Sequence, residues 1–383
     1  MILPSFASKT ALGAVPVCFE PSRRALMRRV INSLAVLVLL LAPANGSADG
    51  LSANANGEGE AAATYVNPVG GDLQMGDPFV MLHKGQYYLY GTTASDGFKC
   101  WTSLDLVHWK PRGYAYQRRE GSWGGKTYWA PEVIFHAAKY YMVFSCQRQD
   151  SKSFSARICL AVGQSPEGPF VDLHAPLFDN GWSCIDGHIF VDDDSTPYLY
   201  FSKVGSVGEP WKKPPAGYLY GMIYCVKLAR DLSAPIGDPV LCLQADQPWE
   251  HPDGMRTRCN EGAFVLKHQA VYYMTYSANH YADPDYGIGY ATARAPLGPW
   301  TKCVHNPIVA KNLDLAVSGP GHCSITTSPD GAELFMVYHT HADVLHPSGR
   351  RTVNIDRLVF QEDGTLTLIG PTRSPQPMPS GYR

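Results

Sequence analysis

One strand–turn–strand pattern recurs five times along this chain, and no other feature restricts the fold as much. It reads DPFVMLHKGQYYLYG from Asp77, PEVIFHAAKYYMVFS from Pro131, DGHIFVDDDSTPYLYFS from Asp186, EGAFVLKHQAVYYMTYS from Glu261 and GHCSITTSPDGAELFMVYH from Gly321. Each copy joins a short apolar run to an aromatic run through a polar turn such as Lys84-Gly85 or Pro329-Asp330-Gly331, which is the signature of a β-hairpin. Most copies continue into a third segment and a closing Pro or Trp turn: WTSLDLVHW (101–109), LAVGQSPEGPF (160–170), YCVKLARDL (224–232) and GYATARAPLGPW (289–300). Three or four strands per repeat make a propeller blade, so the chain is predicted to be all-β, a five-bladed β-propeller. A β-sandwich also uses short strands and turns, but it has no reason to repeat one hairpin five times. The Gly 36 and Pro 30 of the composition suit many strands joined by tight turns.

In a propeller the first strand of every blade lines the central axis, so the polar residues heading each repeat are expected to meet there. They are Asp77, Glu132, Asp186, Glu261 and His322, at intervals of 55, 54, 75 and 61 residues, the longest interval being assigned to a loop over 204–218. Singly, each has a plain structural reading: Asp77-Pro78 and Asp186-Gly187 as turns, Glu261-Gly262 as a bulge. Together they form a carboxylate cluster, in which crowding of like charges raises at least one pKa and leaves a protonated acid beside an ionised base. Two such groups are what cleavage of a glycosidic bond requires. Trp129 offers a rigid platform for the apolar face of a sugar, a core tryptophan being the other reading. Glu132 could bind a sugar hydroxyl or serve as a salt-bridged structural carboxylate. His339 and His341 share a strand face, but no third ligand is spaced to complete a zinc site.

Residues 1–44 are read as a signal segment, with Met27 a candidate true start. RRALMRR (23–29) precedes the apolar run LAVLVLLLA (34–42) and an Ala42-Pro43-Ala44 cleavage site. That run is too short to span a bilayer, so the expectation is a secreted or periplasmic protein with no membrane span after signal removal. Residues 45–63 follow as a flexible polar linker, 64–370 as the propeller and 371–383 as a loosely packed tail. A formal net charge of −2 gives no electrostatic reason to expect nucleic acid. The cysteines of the mature chain are read as small buried residues, with Cys146/Cys159 and Cys225/Cys242 the candidate disulfide pairs.

Seven motifs taken together, GDPFV (76–80), YWAPEV (128–133), IDGHIFVDDDSTPYLYF (185–201), NEGAFVLK (260–267), YSAN (276–279), SGPGHCS (318–324) and IDRLVF (355–360), resemble those of glycoside hydrolase family 43. These are five-bladed propellers acting on arabinose- and xylose-containing plant polysaccharides, and the likeness covers about residues 64–370. The resemblance implies Asp77 as the general base that activates water, Glu261 as the general acid, and Asp186 as the carboxylate that orients Glu261 and raises its pKa. It implies inversion, for which the base and acid carboxyls should lie about 6.5–9.5 Å apart. It makes Arg350 the active-site arginine that lowers the pKa of the base, with strand alternation turning Arg351 the other way. It places His322 where related arabinan-degrading enzymes hold a central ion, a candidate calcium bound through waters; a histidine in an axial water network is the second reading. Trp129, Glu132, His322 and Arg350 are thus the expected substrate-binding residues, and no organic cofactor is required. The implied activity is that of an inverting exo-glycosidase removing terminal α-L-arabinofuranosyl or β-D-xylosyl groups from an oligo- or polysaccharide partner. An endo-arabinanase of the same fold and a non-catalytic carbohydrate-binding propeller are the alternatives.

Overall fold

The computed structural model describes residues 63–206, 219–252 and 257–382. The expected signal segment, nearly all of the expected linker and most of the 204–218 loop lie outside the described residues. Strand β1 (Thr64–Tyr65) is followed by five blades. Blade 1 comprises β2 (Gly76–His83), β3 (Gln86–Thr92), β4 (Gly97–Ser103) and β5 (Lys110–Gln117). Blade 2 comprises β6 (Lys126–His136), β7 (Lys139–Gln147), β8 (Arg157–Gly163) and β9 (Val171–His174). Blade 3 has β10 (Ser183–Val191), β11 (Pro197–Ser206), β12 (Leu219–Leu228) and β13 (Pro235–Gln244). Blade 4 has β14 (Thr257–His268), β15 (Val271–Ala278), β16 (Gly287–Ala293) and β17 (Thr301–Lys302). Blade 5 has β18 (Gly321–Thr327), β19 (Leu334–His341), β20 (Arg351–Phe360) and β21 (Leu366–Ile369), and β22 (Gln376–Pro377) ends the chain. Pairing within blades is antiparallel, and a short parallel pairing of β12 with β14 joins blade 3 to blade 4. The expected five-bladed propeller is the fold observed.

The aromatic second strands show why five sheets form a ring. A blade is covered on both faces, so its second strand is buried on both sides and reads as a continuous apolar run, while successive side chains still point to opposite faces. In β3, Tyr87 and Leu89 enter the core shared with blade 5, and Tyr88 and Tyr90 enter the core shared with blade 2. The same division holds in β7, where Tyr140, Met142 and Phe144 face blade 1 and Tyr141 and Val143 face blade 3. It recurs in β15 with Tyr273 against Met274 and Tyr276, and in β19 with Phe335 and Val337 against Met336 and Tyr338. Five wedge-shaped cores, one between each pair of neighbouring blades, result; burying each such side chain stabilises by about 1.5–3 kcal/mol.

The C-terminal tail is not loose. β22 pairs with β1, Arg357 Nη2 donates to the carbonyls of Pro377 and Met378 at 3.1 Å, and Arg373 Nη1 donates to Asn354 Oδ1 at 2.8 Å. Its polar groups are spent on blade 5, which is why a Pro- and Ser-rich sequence is held in place. Each blade draws its strands from one contiguous stretch, so this two-stranded ribbon and the β2–β18 contact close the ring. Among the described residues no helix is long and apolar enough to cross a membrane, and the nine cysteines are unpaired, with Cys146 and Cys159 sulfurs 3.3 Å apart.

Candidate active site

Every inner strand carries a bulge, and the bulges decide which side chains meet at the axis. Pairing slips between Gly76 and Phe79, Trp129 and Glu132, Ile185 and His188, Glu261 and Phe264, and Gly321 and Ser324. The first residue of each slip has a left-handed backbone: Asp77 (φ 55), Ala130 (φ 45), Asp186 (φ 58), Gly262 (φ 61) and His322 (φ 47). Four of these five are not glycine, and such strain concentrates at functional sites because the surroundings must over-determine it. The five residues expected at one equivalent position therefore occupy three. Asp77, Asp186 and His322 sit in the bulge, Glu261 sits one residue before it beside the equivalent Trp129, and Glu132 lies two residues beyond.

A side chain from the preceding blade clamps four of these five residues. Thr92 Oγ1 accepts the Ala130 N–H at 2.9 Å, Ser145 Oγ that of Asp186 at 2.8 Å, Ser277 Oγ that of His322 at 2.7 Å, and His339 Nδ1 that of Asp77 at 3.1 Å. The clamping residue is the sixth of an equivalent six-residue run within each second strand: YYLYGT, YYMVFS, YYMTYS and LFMVYH. In the fifth copy, PYLYFS, the hydroxyl of Ser202 finds no hydrogen-bond partner among the described residues. There the Gly262 N–H is bonded instead by the Asp186 carboxyl. Asp186 thus takes over a structural bond at the residue that follows Glu261.

Asp77 is held as an anion. Arg351 Nη1 donates to Oδ1 at 2.7 Å and Thr92 Oγ1 donates to Oδ2 at 2.6 Å. Burial is the largest single influence and opposes its charge, but the Arg351 guanidinium, the His322 and His339 imidazoles and the Thr92 hydroxyl together outweigh it and hold the carboxyl well below the usual carboxylate range. Gly76 is required by this ion pair, since a Cβ there would overlap the guanidinium. Asp186 is set the other way: burial, then the neighbouring Glu261 and Asp77 carboxylates, push its pKa well above the usual range. Asp186 is also the more deeply buried of the neighbouring Asp186 and Glu261 carboxyls. Its surroundings therefore favour the protonated form of Asp186. Glu261 accepts from Tyr286 Oη at 2.8 Å on Oε1 and from Cys259 Sγ at 3.2 Å on Oε2. His322 Nδ1 stands between the two halves, 3.5 Å from Asp77 Oδ1 and 3.9 Å from Asp186 Oδ2.

Two expected residues make other contacts than the sequence suggests. Arg350 is exposed and its Nε donates to Gln74 Oε1, whereas Arg351 is buried on Asp77; alternation excludes one of the pair, but the loop leading into β20 sets which. Glu132 is buried with Oε2 2.6 Å from His188 Nδ1, and His188 Nε2 accepts the Val265 N–H at 3.0 Å. Glu132 and His188 therefore form a strut linking blades 2, 3 and 4, which fits the structural-carboxylate reading of Glu132. Trp129 is 37% exposed and stacks on Phe154, with ring centroids 5.8 Å apart, which leaves an aromatic surface beside the acids. Around His322 the donors do not form a cage for directly bound calcium, which takes six to eight oxygens: both Asp77 oxygens are occupied, and no group of three or more His, Cys, Asp or Glu able to hold a metal occurs among the described residues. Thr92, Arg351, His339, Cys259 and Tyr286 were not singled out for the site by the sequence; the clamp position at the end of each aromatic strand is the signal that could have found the first and third.

A family profile described as Glycosyl hydrolases family 43 matches residues 65–366. A solved structure described as a thermostable family-43 glycoside hydrolase is 50% identical, covers 82% of this chain and 99% of its own, and superposes with a TM-score of 0.77. A β-D-galactofuranosidase of Aspergillus niger is 26% identical over 77% of this chain and 82% of that protein. An extracellular exo-α-(1→5)-L-arabinofuranosidase of Streptomyces avermitilis is 26% identical over 90% of this chain and 69% of that protein. With the fold, the axial carboxylates and a match spanning all five blades in agreement, this chain belongs to glycosyl hydrolase family 43.

Proposed function

We propose that this chain is an inverting exo-glycosidase that removes terminal α-L-arabinofuranosyl or β-D-xylosyl groups from plant cell-wall polysaccharides, with Asp77 as base, Glu261 as acid and Asp186 as the residue that orients the acid. The observation that carries the reading is the opposed setting of the carboxylates: Asp77 is kept ionised with Arg351 on its Oδ1, while Asp186, across His322 and beside Glu261, is pushed toward its protonated form. In the proposed step a water oxygen bonds to the anomeric carbon as Asp77 accepts the water's proton. The glycosidic bond breaks, its electron pair leaves with the aglycone oxygen, and that oxygen takes the Glu261 proton. Arg351 gives Asp77 a charge that persists to low pH at the expense of basicity. Trp129 would supply the face on which a sugar ring stacks. Export, expected from residues 1–44, belongs to the same reading and is supported by the extracellular arabinofuranosidase relative.

The Aspergillus relative favours a second reading, hydrolysis of a β-D-galactofuranoside. Aryl α-L-arabinofuranoside, β-D-xyloside and β-D-galactofuranoside, assayed beside linear arabinan, separate these readings and the endo-acting one. Proton NMR of the first sugar released from the preferred substrate tests the mechanism. The anomer opposite to that of the substrate is expected; release of the substrate's own anomer first would overturn inversion.

A further inference from the structure

The geometry points to Tyr286 as a positioning residue that decides which oxygen of Glu261 carries the transferable proton, an inference that rests on the acid role proposed for Glu261. Tyr286 immediately precedes β16 and is fully buried, and burial followed by the Glu261 carboxylate raises its pKa well above the ordinary value. Its hydroxyl is therefore a donor at any working pH, and it donates to Glu261 Oε1 at 2.8 Å. An oxygen that accepts a strong hydrogen bond is the poorer place for the carboxyl's own proton, because the donor's hydrogen already occupies the favoured side. The proton is thus directed to Oε2. The only described contact there is the Cys259 thiol at 3.2 Å, a weak donor that leaves a lone pair and a hydrogen free to point at the leaving oxygen.

The ring of Tyr286 is held by parts of the opposite half of the site. It stacks on His339 with centroids 5.8 Å apart and planes 10° apart. His339 is the one imidazole among the blade clamps: its Nδ1 accepts the Asp77 N–H, so the ring hydrogen lies on Nε2, which has no hydrogen-bond partner among the described residues. Burial, then Arg351, pushes the His339 pKa well below its ordinary value, so the ring under Tyr286 is neutral. Gly321 supplies the remaining space, since a Cβ there would overlap the Tyr286 ring. Through one hydrogen bond, one ring stack and one clamp, the position of Glu261 is tied to the backbone of Asp77.

Aryl glycosides with different leaving groups test this, because a phenolate as good as 2,4-dinitrophenolate departs without a proton while phenolate needs one. Tyr286→Phe, which removes the donor and keeps the ring, is expected to lower kcat/KM on the phenyl pentoside about tenfold and on the 2,4-dinitrophenyl pentoside by less than about twofold. Gly321→Ala, which displaces the ring and keeps the hydroxyl, is expected to show the same selectivity. Each full-length variant is assayed below its own unfolding transition, and if Gly321→Ala does not fold, Tyr286→Phe decides. Equal losses on both substrates, or no loss on the phenyl pentoside, would overturn the inference. Glu261→Gln is run in parallel: if it hydrolyses the phenyl pentoside at the wild-type rate, the acid assignment itself fails. If it is leaving-group selective and Tyr286→Phe is not, only the inference about Tyr286 fails.

Discussion

Two of the regions that bury carboxylates, the Glu250 cluster and the axial site, do so on opposite terms. Glu250 is fully buried at the blade 4 rim, where Lys302 Nζ lies 2.6 and 2.7 Å from its two oxygens. Tyr276 Oη and Asn260 Nδ2 donate to Oε1 at 2.7 and 3.2 Å, and the Asp246 and Gln247 N–H groups donate to Oε2 at 2.7 and 2.8 Å. Every lone pair is met and the charge is matched, which is how a buried ion becomes a structural element. At the axis, three carboxylates share one arginine, and Arg351 serves only Asp77. Asp186 is left buried among like charges, and burial and crowding push it toward its protonated form. A saturated carboxylate fixes geometry; a crowded and under-neutralised one holds a proton that can be moved. Asn260 belongs to the first region and Glu261, its neighbour in the chain, to the second, so the rigid site anchors the reactive one.

Amide substitutions break this comparison most directly. Glu261→Gln should cost about a thousandfold in kcat/KM on a phenyl pentoside, the general-acid contribution, read by steady-state kinetics. Glu250→Gln should destabilise by about 3 kcal/mol, because Lys302 is left buried without its counter-charge; the midpoint of urea unfolding reads it. Asp186→Asn should do the reverse and stabilise by about 1 kcal/mol at neutral pH while activity falls, since it removes the crowding and keeps an acceptor for the Gly262 N–H. The sign follows from linkage: with a folded pKa raised above 3.8, wild-type stability is full below that value and declines as pH rises toward the folded pKa. The advantage of Asp186→Asn should therefore vanish in acid and grow toward neutrality, and a melting series across pH checks it. Arg351→Lys should give the smallest change, an acidic limb of kcat/KM moved up by about half a pH unit or more but under one, because a lysine neighbour depresses Asp77 less than a guanidinium seated on its oxygen. An unmoved limb would mean that Arg351 does not set the charge on the base.

The sequence was informative wherever a local pattern carries the physics. Hairpin turns, aromatic strands and acids at the head of each repeat are local, so five blades and the trio Asp77, Asp186 and Glu261 could be read directly. The register of a bulge is not local. It depends on which backbone groups the neighbouring strand and blade satisfy, and it moved Glu261 and Glu132 off the position assigned to Asp77. The choice between Arg350 and Arg351 failed for the same reason, since alternation fixes that the two point apart but not which points inward. Tyr286, His339, Thr92 and Cys259 act on residues from 2 to 262 positions away, and only the recurring clamp position marks Thr92 and His339, while nothing local marks Tyr286 and Cys259. By itself, then, the sequence determined the number of blades and the identity of the acids, because periodicity and residue type are written along the chain. Only the tertiary structure decided which acid is charged and which keeps a proton, because that depends on burial and on a guanidinium brought in from the far end of the ring.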